Sequence, residues 1–432
     1  MKALMLDGSR IHDAAAEKIA TTLRNQLAAR GWEIEHIPLR DKKIGNCAGD
    51  FFCWVRSPGV CNTNDDNRAI AAQVMACDLM VWLTPVTFGG YSAALKRMVD
   101  HLIQNILPFF TQVDGEVHHQ RRYDRYPDML VVGWMDAPDA PGEAIFRNLV
   151  QRNARNFYPR THVCGVVTGS LSDEDLAAQA DDWLDAVDSG RSSPVPALPA
   201  ASSAAAAEPA RSALLLVGSP RTASSTSAAL GGYLFEQLDA KGVATQTIQL
   251  YTHLVAPARQ QALLAAVDGA DLIVLAAPVY VDSLPGPVIG ALELIAAKRA
   301  SRRVGQRFAA IANCGFPEAH QCNNLLAQCA RFADRAGLGW AGGMALGAGG
   351  AINGVALARL GGRTLATRQA LDMAAAALSS GQAIPGSAAE LLAKPSMPDW
   401  LYTASASLGW WYEAARNRVL TKMRRAPYRR AH

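Results

Sequence analysis

Two loops carry the residue types from which a pocket for a phosphorylated, flat-ringed ligand is built, and each loop occurs twice. The first reads "LDGSRIHDAAAEKIATTL" from Leu6 and "LVGSPRTASSTSAALGGYL" from Leu216. A Gly-Ser turn that opens a helix aims backbone N–H groups and the positive helix end at an anion. In the second copy Ser219, Ser224, Ser225 and Thr226 add hydroxyls for phosphate oxygens, and Arg221 adds a counter-charge. The first copy offers Ser9, Arg10 and His12, but alanines from Ala14 to Ala16 where hydroxyls are expected. The second loop reads "TPVTFGG" from Thr84 and "APVYVDSLPG" from Ala277. A conjugated ring needs a tight turn with backbone donors and apolar or aromatic faces. Pro85, Val86, Thr87, Phe88 and Gly89 supply these in one copy, and Pro278, Val279, Tyr280 and Val281 in the other. The plain alternatives are a capped strand–helix turn and a strand-ending turn, for which Gly and Pro are ordinary; the repetition favours a site.

Elements that place such loops recur with them. "CDLMVWL" precedes the first ring-loop and "ADLIVLA" the second, aligning Asp78 with Asp271 and Pro85 with Pro278. Each half alternates short apolar runs with longer helical patterns. The strands expected are "KALMLD", "EIEHIPL", "LMVWLTP", "MLVVGW" and "HVCGVVTG", then "ALLLVG", "TQTIQL", "LIVLAAP", "RFAAIA" and "GGMALGA". Continuous apolar strands separated by helices imply parallel sheets covered on both faces. Five per half predicts an α/β chain of two doubly wound, flavodoxin-like, five-stranded domains in tandem, with ligands outside the carboxyl ends of the strands.

The expected division is residues 1–188 for the first domain, 189–212 for a Pro/Ala/Ser-rich linker, 213–395 for the second domain and 396–432 for an aromatic, basic tail. The linker composition reads as flexible coil. The chain has 432 residues and half are hydrophobic, enough for two cores. No apolar run is long enough to span a membrane. The N-terminus reads as a strand rather than a signal peptide, and eight irregularly spaced cysteines suggest reduced thiols, so a cytoplasmic location is expected. The net charge of +4 would be about −3 without the seven Lys and Arg of Arg416–Arg430, which argues against nucleic-acid binding by bulk charge. That tail, with Trp400, Trp410, Trp411 and Tyr412, suits either a weak contact with an anionic membrane surface or, preferably, packing on a domain with a solvated basic end. Neither a Gly-x-Ser-x-Gly elbow nor a Walker lysine appears.

The turn "GSPRTASST" and the loop "APVYVDSLPG" resemble those of the NAD(P)H-dependent FMN reductases, flavodoxin-like enzymes. The first half, through "KKIGNCAGDFFCWVRSPGVCNTNDD" and "LTPVTFGGYSAALKRMVDHLIQNILPFF", resembles the branch that includes the iron–sulfur flavoproteins. The resemblance implies FMN, with its phosphate in the first loop and its ring in the second. It also implies reduction by NAD(P)H, a small-molecule or protein electron acceptor, and dimers in which one subunit covers the flavin of the other. Two units in one chain would then form a pseudo-dimer, with "FFCWVRSPG" or the Phe109–Tyr126 segment as cover. No acid–base residue is assigned, because the cofactor carries the chemistry. The alternative is an electron-carrier or binding module with one or both domains silent, which the altered first turn of domain one favours in part.

Iron–sulfur members carry four cysteines in the inserted stretch. This chain has Cys47, Asp50, Cys53 and Cys61, with an aspartate in second position. Four thiolates are the rule for such clusters and carboxylate is a poor ligand, so no metal is expected. The adjacent pair His118–His119 lacks a third ligand. Arg121, Arg122 and Arg125, in a long segment between Pro108 and Pro127, suit either a nucleotide phosphate or a solvated loop. Asn313, Gly315 and Phe316 fall where a third ring-facing loop belongs, and "GAGGAING" from Gly347 allows close backbone approach. Cys314, Cys322 and Cys329 read as small core residues.

Overall fold

The computed structural model describes residues 1–169, 171–299 and 305–429. The chain divides into two compact units, residues 1–198 together with the segment from residue 404, and residues 199–403.

Unit 1 runs β1 (Lys2–Asp7), α1 (Ala14–Ala29), β2 (Glu33–Pro38), α2 (Phe52–Val55), α3 (Asn67–Ala76), β3 (Leu79–Pro85), α4 (Ala93–His101), β4 (Ile106–Val113), β5 (Glu116–Arg121), β6 (Asp128–Met135), α5 (Ala140–Phe157), β7 (His162–Thr168) and α6 (Asp173–Asp188). Its parallel sheet has the order β2-β1-β3-β6-β7. Unit 2 runs β8 (Ser212–Val217), α7 (Thr226–Asp239), β9 (Ala244–Gln249), α8 (Leu250–His253), α9 (Pro257–Gly269), β10 (Leu272–Pro278), α10 (Gly286–Lys298), β11 (Arg307–Asn313), α11 (Asn323–Arg335), β12 (Gly339–Leu346), α12 (Leu365–Ser379) and α13 (Gly386–Ala393). Its sheet order is β9-β8-β10-β11-β12. Counting sheet strands along each unit, both orders are 2-1-3-4-5, the flavodoxin-like winding, with the switch point beside the first strand. The ten strands expected from sequence all form, and helix α14 (Asp399–Arg416) follows.

The central strands are apolar throughout because helices cover both faces: Leu79–Thr84 and Leu272–Ala277 are buried without interruption. Helix α1 shows the matching logic. Ile19, Ala20, Leu23 and Leu27 recur at helical spacing on its buried face, and Asp13 caps it by accepting from the Ala16 N–H. Each fully buried Leu or Ile contributes about 1.5–3 kcal/mol. The repeated acid has a structural use. Asp78 accepts from the Lys2 N–H at 2.7 Å, and Asp271 accepts from the Arg211 and Ser212 N–H groups at 3.0 Å, so each clamps the start of its unit's first strand.

Two segments differ from expectation. The long connection between Pro108 and Pro127 is an antiparallel ribbon, β4 with β5, closed by Asp114 (φ 51°) and Gly115 (φ 81°). Asp-Gly with both φ positive is the favoured two-residue hairpin turn, a signal present in "QVDGEV". The linker is not free coil along its length. Ser193 N–H donates to His162 O at 2.9 Å in unit 1, while Ala204, Ala207 and Ala210 donate to Trp340, Gly381 and Ser379 carbonyls at 2.8, 2.9 and 3.1 Å in unit 2. Gly381 is required there: its φ is +75° and a Cβ would collide with the Ala207 carbonyl.

The tail packs on a domain, the preferred expectation, and from residue 404 it belongs to unit 1. Ala414 and Met423 pack with Leu107 and Phe109, and Trp410 meets Phe51 and Trp54 with ring centroids 5.2 and 5.4 Å apart. Arg122 donates to the Met423 and Arg425 carbonyls at 3.0 and 2.7 Å. Arg430 lies outside the described residues. Among the described residues no helix is long and apolar enough to cross a membrane.

Candidate functional site

Both ring-loops carry positive-φ backbone at the carboxyl ends of the strands. After β3, Thr87 and Gly90 exchange N–H···O bonds of 2.9 and 2.7 Å around Phe88 (φ 53°) and Gly89 (φ 80°). After β10, Tyr280 and Ser283 exchange bonds of 2.9 and 3.1 Å around Val281 (φ 44°) and Asp282 (φ 59°). A β-branched residue with positive φ is a genuine outlier, costing of order 1–3 kcal/mol. Its surroundings hold it. Ser283 is fully buried and its hydroxyl donates to Gln328 Oε1 at 2.8 Å, while the Val279 N–H is fixed on Asn313 O at 2.8 Å. Positive φ at the centre of the turn is kept in both copies despite different residues. Pro278, Val279, Tyr280 and Val281 are half-buried in unit 2, as are Pro85, Val86 and Phe88 in unit 1, where Thr87 and Gly89 are buried.

The two helix-opening turns differ in charge. In unit 2, Ser225 caps α7: its Oγ accepts from the Ala228 N–H at 3.1 Å and donates to Thr222 O at 2.6 Å. Thr226 donates to Gly349 O at 2.8 Å, and Arg221 donates to Asn353 Oδ1 at 2.8 Å. Ser219 is buried and Ser224 exposed. The "GAGGAING" run thus forms a second wall over the turn. Gly354 (φ +77°) touches Ser224, and any Cβ there would strike its carbonyl. Asn313 ties the walls to the sheet, donating to Ser227 Oγ at 2.8 Å and to Ala277 O at 3.2 Å. Tyr402 donates to Gly315 O at 2.8 Å; sequence reasoning missed it, since a lone tyrosine before the tail aromatics carries no pattern.

In unit 1 the same positions carry carboxylates. Asp7 stands where unit 2 has Val217, and Asp13 caps α1 where Ser225 caps α7. Burial pushes the Asp7 carboxyl up, but hydrogen bonds from His36 and Ser9 outweigh it and hold it below the usual range. Arg40 donates to Ser9 Oγ at 2.8 Å and lies 3.4 Å from Asp7. Ser9 is buried and Arg10 exposed. Asp13 also accepts from Trp134 Nε1 at 3.2 Å. A phosphate dianion in this turn would face a carboxylate already holding the helix N-terminus.

Neither expected cover, "FFCWVRSPG" nor the Phe109–Tyr126 segment, is unengaged: their aromatic side chains are used inside unit 1. Trp54, 2% exposed, donates to the Ile103 and Ile106 carbonyls at 3.0 and 3.1 Å. Of the arginines, only Arg122 is held inside the unit, while Arg121 and Arg125 are exposed and make surface contacts. Arg122 is buried, Arg121 stacks over Tyr158 at 4.6 Å, and Arg125 pairs with Asp78 at 2.8 Å.

Asp50 accepts from the Phe52 N–H at 3.0 Å, turning the chain into α2. Burial pushes the Cys47 thiol up to about 12 and raises Cys53 as well. Cys61 differs: its Sγ lies 3.4 Å from His101 Nδ1, while His101 Nε2 lies 3.0 Å from the Gly45 carbonyl. A carbonyl only accepts, so Nε2 carries the proton and Nδ1 is left to receive the thiol's. Burial raises Cys61, but His101 outweighs it and the thiol is lowered below its usual value. Iodoacetamide at neutral pH should therefore modify Cys61 before Cys47 or Cys53, with His101→Ala slowing it by about tenfold. Peptide mapping checks this, and equal labelling of the three would contradict it.

The model of the NADPH-dependent FMN reductase family matches this chain twice, at residues 1–118 and 212–333, more than half its length. An iron–sulfur flavoprotein of Methanocaldococcus jannaschii is 32% identical over 100 residues, covering 23% of this chain and 51% of that protein. The chain therefore spans about half the length of that curated relative. An iron–sulfur flavoprotein of Archaeoglobus fulgidus is 27% identical over 178 residues, covering 41% of this chain and 74% of the relative. Among solved structures, an NAD(P)H:quinone oxidoreductase from Methanothermobacter marburgensis aligns at 12% identity with a TM-score of 0.35, over 44% of this chain and 98% of that one.

Proposed function

We propose, from the premise that the chain belongs to the NADPH-dependent FMN reductase family, that it is an FMN-binding NAD(P)H oxidoreductase whose flavin site is in unit 2. The observation that carries this reading is the charge difference between the two turns. At the N-terminus of α7 stands a hydroxyl cap, Ser225, with Ser219, Ser224 and Arg221 around it, where unit 1 has Asp13 and Asp7. A two-walled turn of this kind fits a phosphate, and the strained turn at Tyr280–Ser283 fits the edge of a flat ring. Bound FMN would supply hydride and electron transfer between a nicotinamide nucleotide and a small-molecule or protein acceptor.

The chain's own groups bind and orient. The Tyr280–Ser283 turn presents half-buried Tyr280 and Val281 to the ring, and Asn313 fixes the β10 and β11 loop ends against α7. Unit 1, with carboxylates in its turn, is read as the silent partner. The pseudo-dimer stays within this proposal: tethering gives an effective concentration of about millimolar, enough to fill a weak interface. A 199–403 fragment should then bind FMN more weakly than the intact chain, and equal affinity would remove the pseudo-dimer. Trp400, Leu408, Trp411 and Tyr412 are more than half exposed on α14, which keeps weak contact with an anionic membrane in the reading, to be checked by liposome co-sedimentation.

Purified protein tests the main claim. It should carry or take up one FMN per chain, bleach on addition of NADPH, and hold no stoichiometric iron or sulfide, since Asp50 stands in place of a fourth thiolate. A colourless protein indifferent to FMN would leave only a binding module.

A further inference from the structure

The inserted stretch of unit 1 holds a nucleophile that the flavin reading does not use. Among the described residues no group of three or more His, Cys, Asp or Glu side chains is placed to hold a metal ion. Cys47, Cys53 and Cys61 are all free of disulfides. They are not equivalent. Cys53 is buried inside α2, whereas Cys61 is half-buried and is followed by the exposed residues Asn62, Thr63 and Asn64. Of the three, Cys61 has an imidazole at its sulfur.

The surroundings of Cys61 fix both the nucleophile and its base. Its N–H donates to Gln104 Oε1 at 2.9 Å, and Arg68 Nε donates to its carbonyl at 2.8 Å, so the main chain is held from two sides. His101 is buried at the end of α4, and its Nε2–H is engaged by the Gly45 carbonyl, which leaves Nδ1 facing the sulfur. Once the thiol proton has moved to Nδ1, the thiolate accepts from that N–H and from the N–H and hydroxyl of Thr63. Asp65 and Asp100 face the ring, Asp100 being itself paired with Lys96. Burial works against the imidazolium, but Cys61, Gly45 and Asp100 outweigh it and raise His101 above its usual value. Tyr428 also faces the thiol, and burial pushes its phenol up, so it stays neutral. Cys61 is thus a nucleophile with its proton donor already in place.

We propose that Cys61 is a site of thiol–disulfide exchange that takes low-molecular-weight disulfides as substrate, with His101 as its acid–base partner. The Cys61 sulfur attacks one sulfur of the disulfide and forms a mixed disulfide. The old S–S bond breaks, and the other sulfur leaves with the electron pair and takes the proton from His101 Nδ1. Cys61 is oxidised and half of the small disulfide is reduced, with no further reactant. Cys47 and Cys53, raised by burial, hold their protons, so neither displaces the adduct and it stays on Cys61. No flavin takes part, so the intact chain as purified serves for the test. Incubation with 2-hydroxyethyl disulfide at neutral pH should add a single hydroxyethylthio group by mass, removable with dithiothreitol and mapped to Cys61. Cys61→Ser should remain unmodified. His101→Gln can still donate to the Gly45 carbonyl but cannot take the proton. It should react about tenfold more slowly at neutral pH and approach the wild-type rate near about pH 10, where either thiol is ionised. That convergence separates proton transfer from a merely structural role of the histidine. No adduct, an adduct on Cys47 or Cys53, an internal disulfide in its place, or an unchanged pH profile in His101→Gln would each overturn the site.

Discussion

Replacing Ser225 by Asp should abolish FMN binding in practice while leaving helix α7 intact. Aspartate caps as well as serine does, so the bond now made to the Ala228 N–H at 3.1 Å survives in kind. What changes is charge, together with the loss of the hydroxyl's donation to Thr222 O at 2.6 Å. A carboxylate about 5 Å from a phosphate, at an effective dielectric near 20, costs roughly 3 kcal/mol per unit charge, more than a hundredfold in Kd. The variant copies into unit 2 what Asp13 does in unit 1. Asp13→Ser is the complementary variant, and it should leave flavin affinity unchanged. Flavin fluorescence titration reads both. Wild-type affinity in Ser225→Asp would move the phosphate out of this turn, and loss in Asp13→Ser would move it to unit 1.

Ending the chain at residue 403 should destabilise unit 1 far more than unit 2. The cut removes Trp410 from Phe51 and Trp54, removes Ala414 and Met423 from Leu107 and Phe109, and strips Arg122 of the Met423 and Arg425 carbonyls. Arg122 keeps only the Ile106 carbonyl, and each lost hydrogen bond to a charged group costs about 1.5–3 kcal/mol, to which the lost apolar contacts add. For a unit of this size the total corresponds to a fall of roughly 10–15 °C. Hydrogen exchange should show protection lost in β4 and β5 and kept in β8 and β10. An unchanged unit 1 would mean that the tail contacts contribute nothing to its stability.

What the sequence displays and what it hides divide along physical lines. The strands were legible because a sheet covered on both faces forces unbroken apolar runs such as Leu272–Ala277, and the duplicated Asp78 and Asp271 fixed their alignment. The hairpin at Asp114–Gly115 was legible too, and the length of the segment obscured it. Other features leave no local trace. The linker is held by the backbone N–H groups of Ala204, Ala207 and Ala210, and backbone bonding is blind to composition. Arg122 finds its acceptors some 300 residues away, a pairing that no periodicity announces. Val281 runs against the rules: nothing in a valine predicts φ 44°, and only the surrounding fold compels it. The hydroxyls at Ser219–Thr226 were legible as a turn, whereas their contrast with Asp13 needed the register of the two helix caps.

The return of residues 404–429 to unit 1 makes the first unit discontinuous in the chain, with the second inserted into it. A ribosome finishes every strand of the first sheet, then synthesises residues 199–403, before the segment that completes unit 1 emerges. At about 5–20 residues per second that interval is roughly 10–40 s. During it Trp54 and Phe109 lack their apolar cover and Arg122 lacks two of its acceptors, while unit 2 is free to fold. The order of maturation is thereby reversed with respect to the order of synthesis: the unit begun first is closed last, and during translation it is the unit that chaperones would hold.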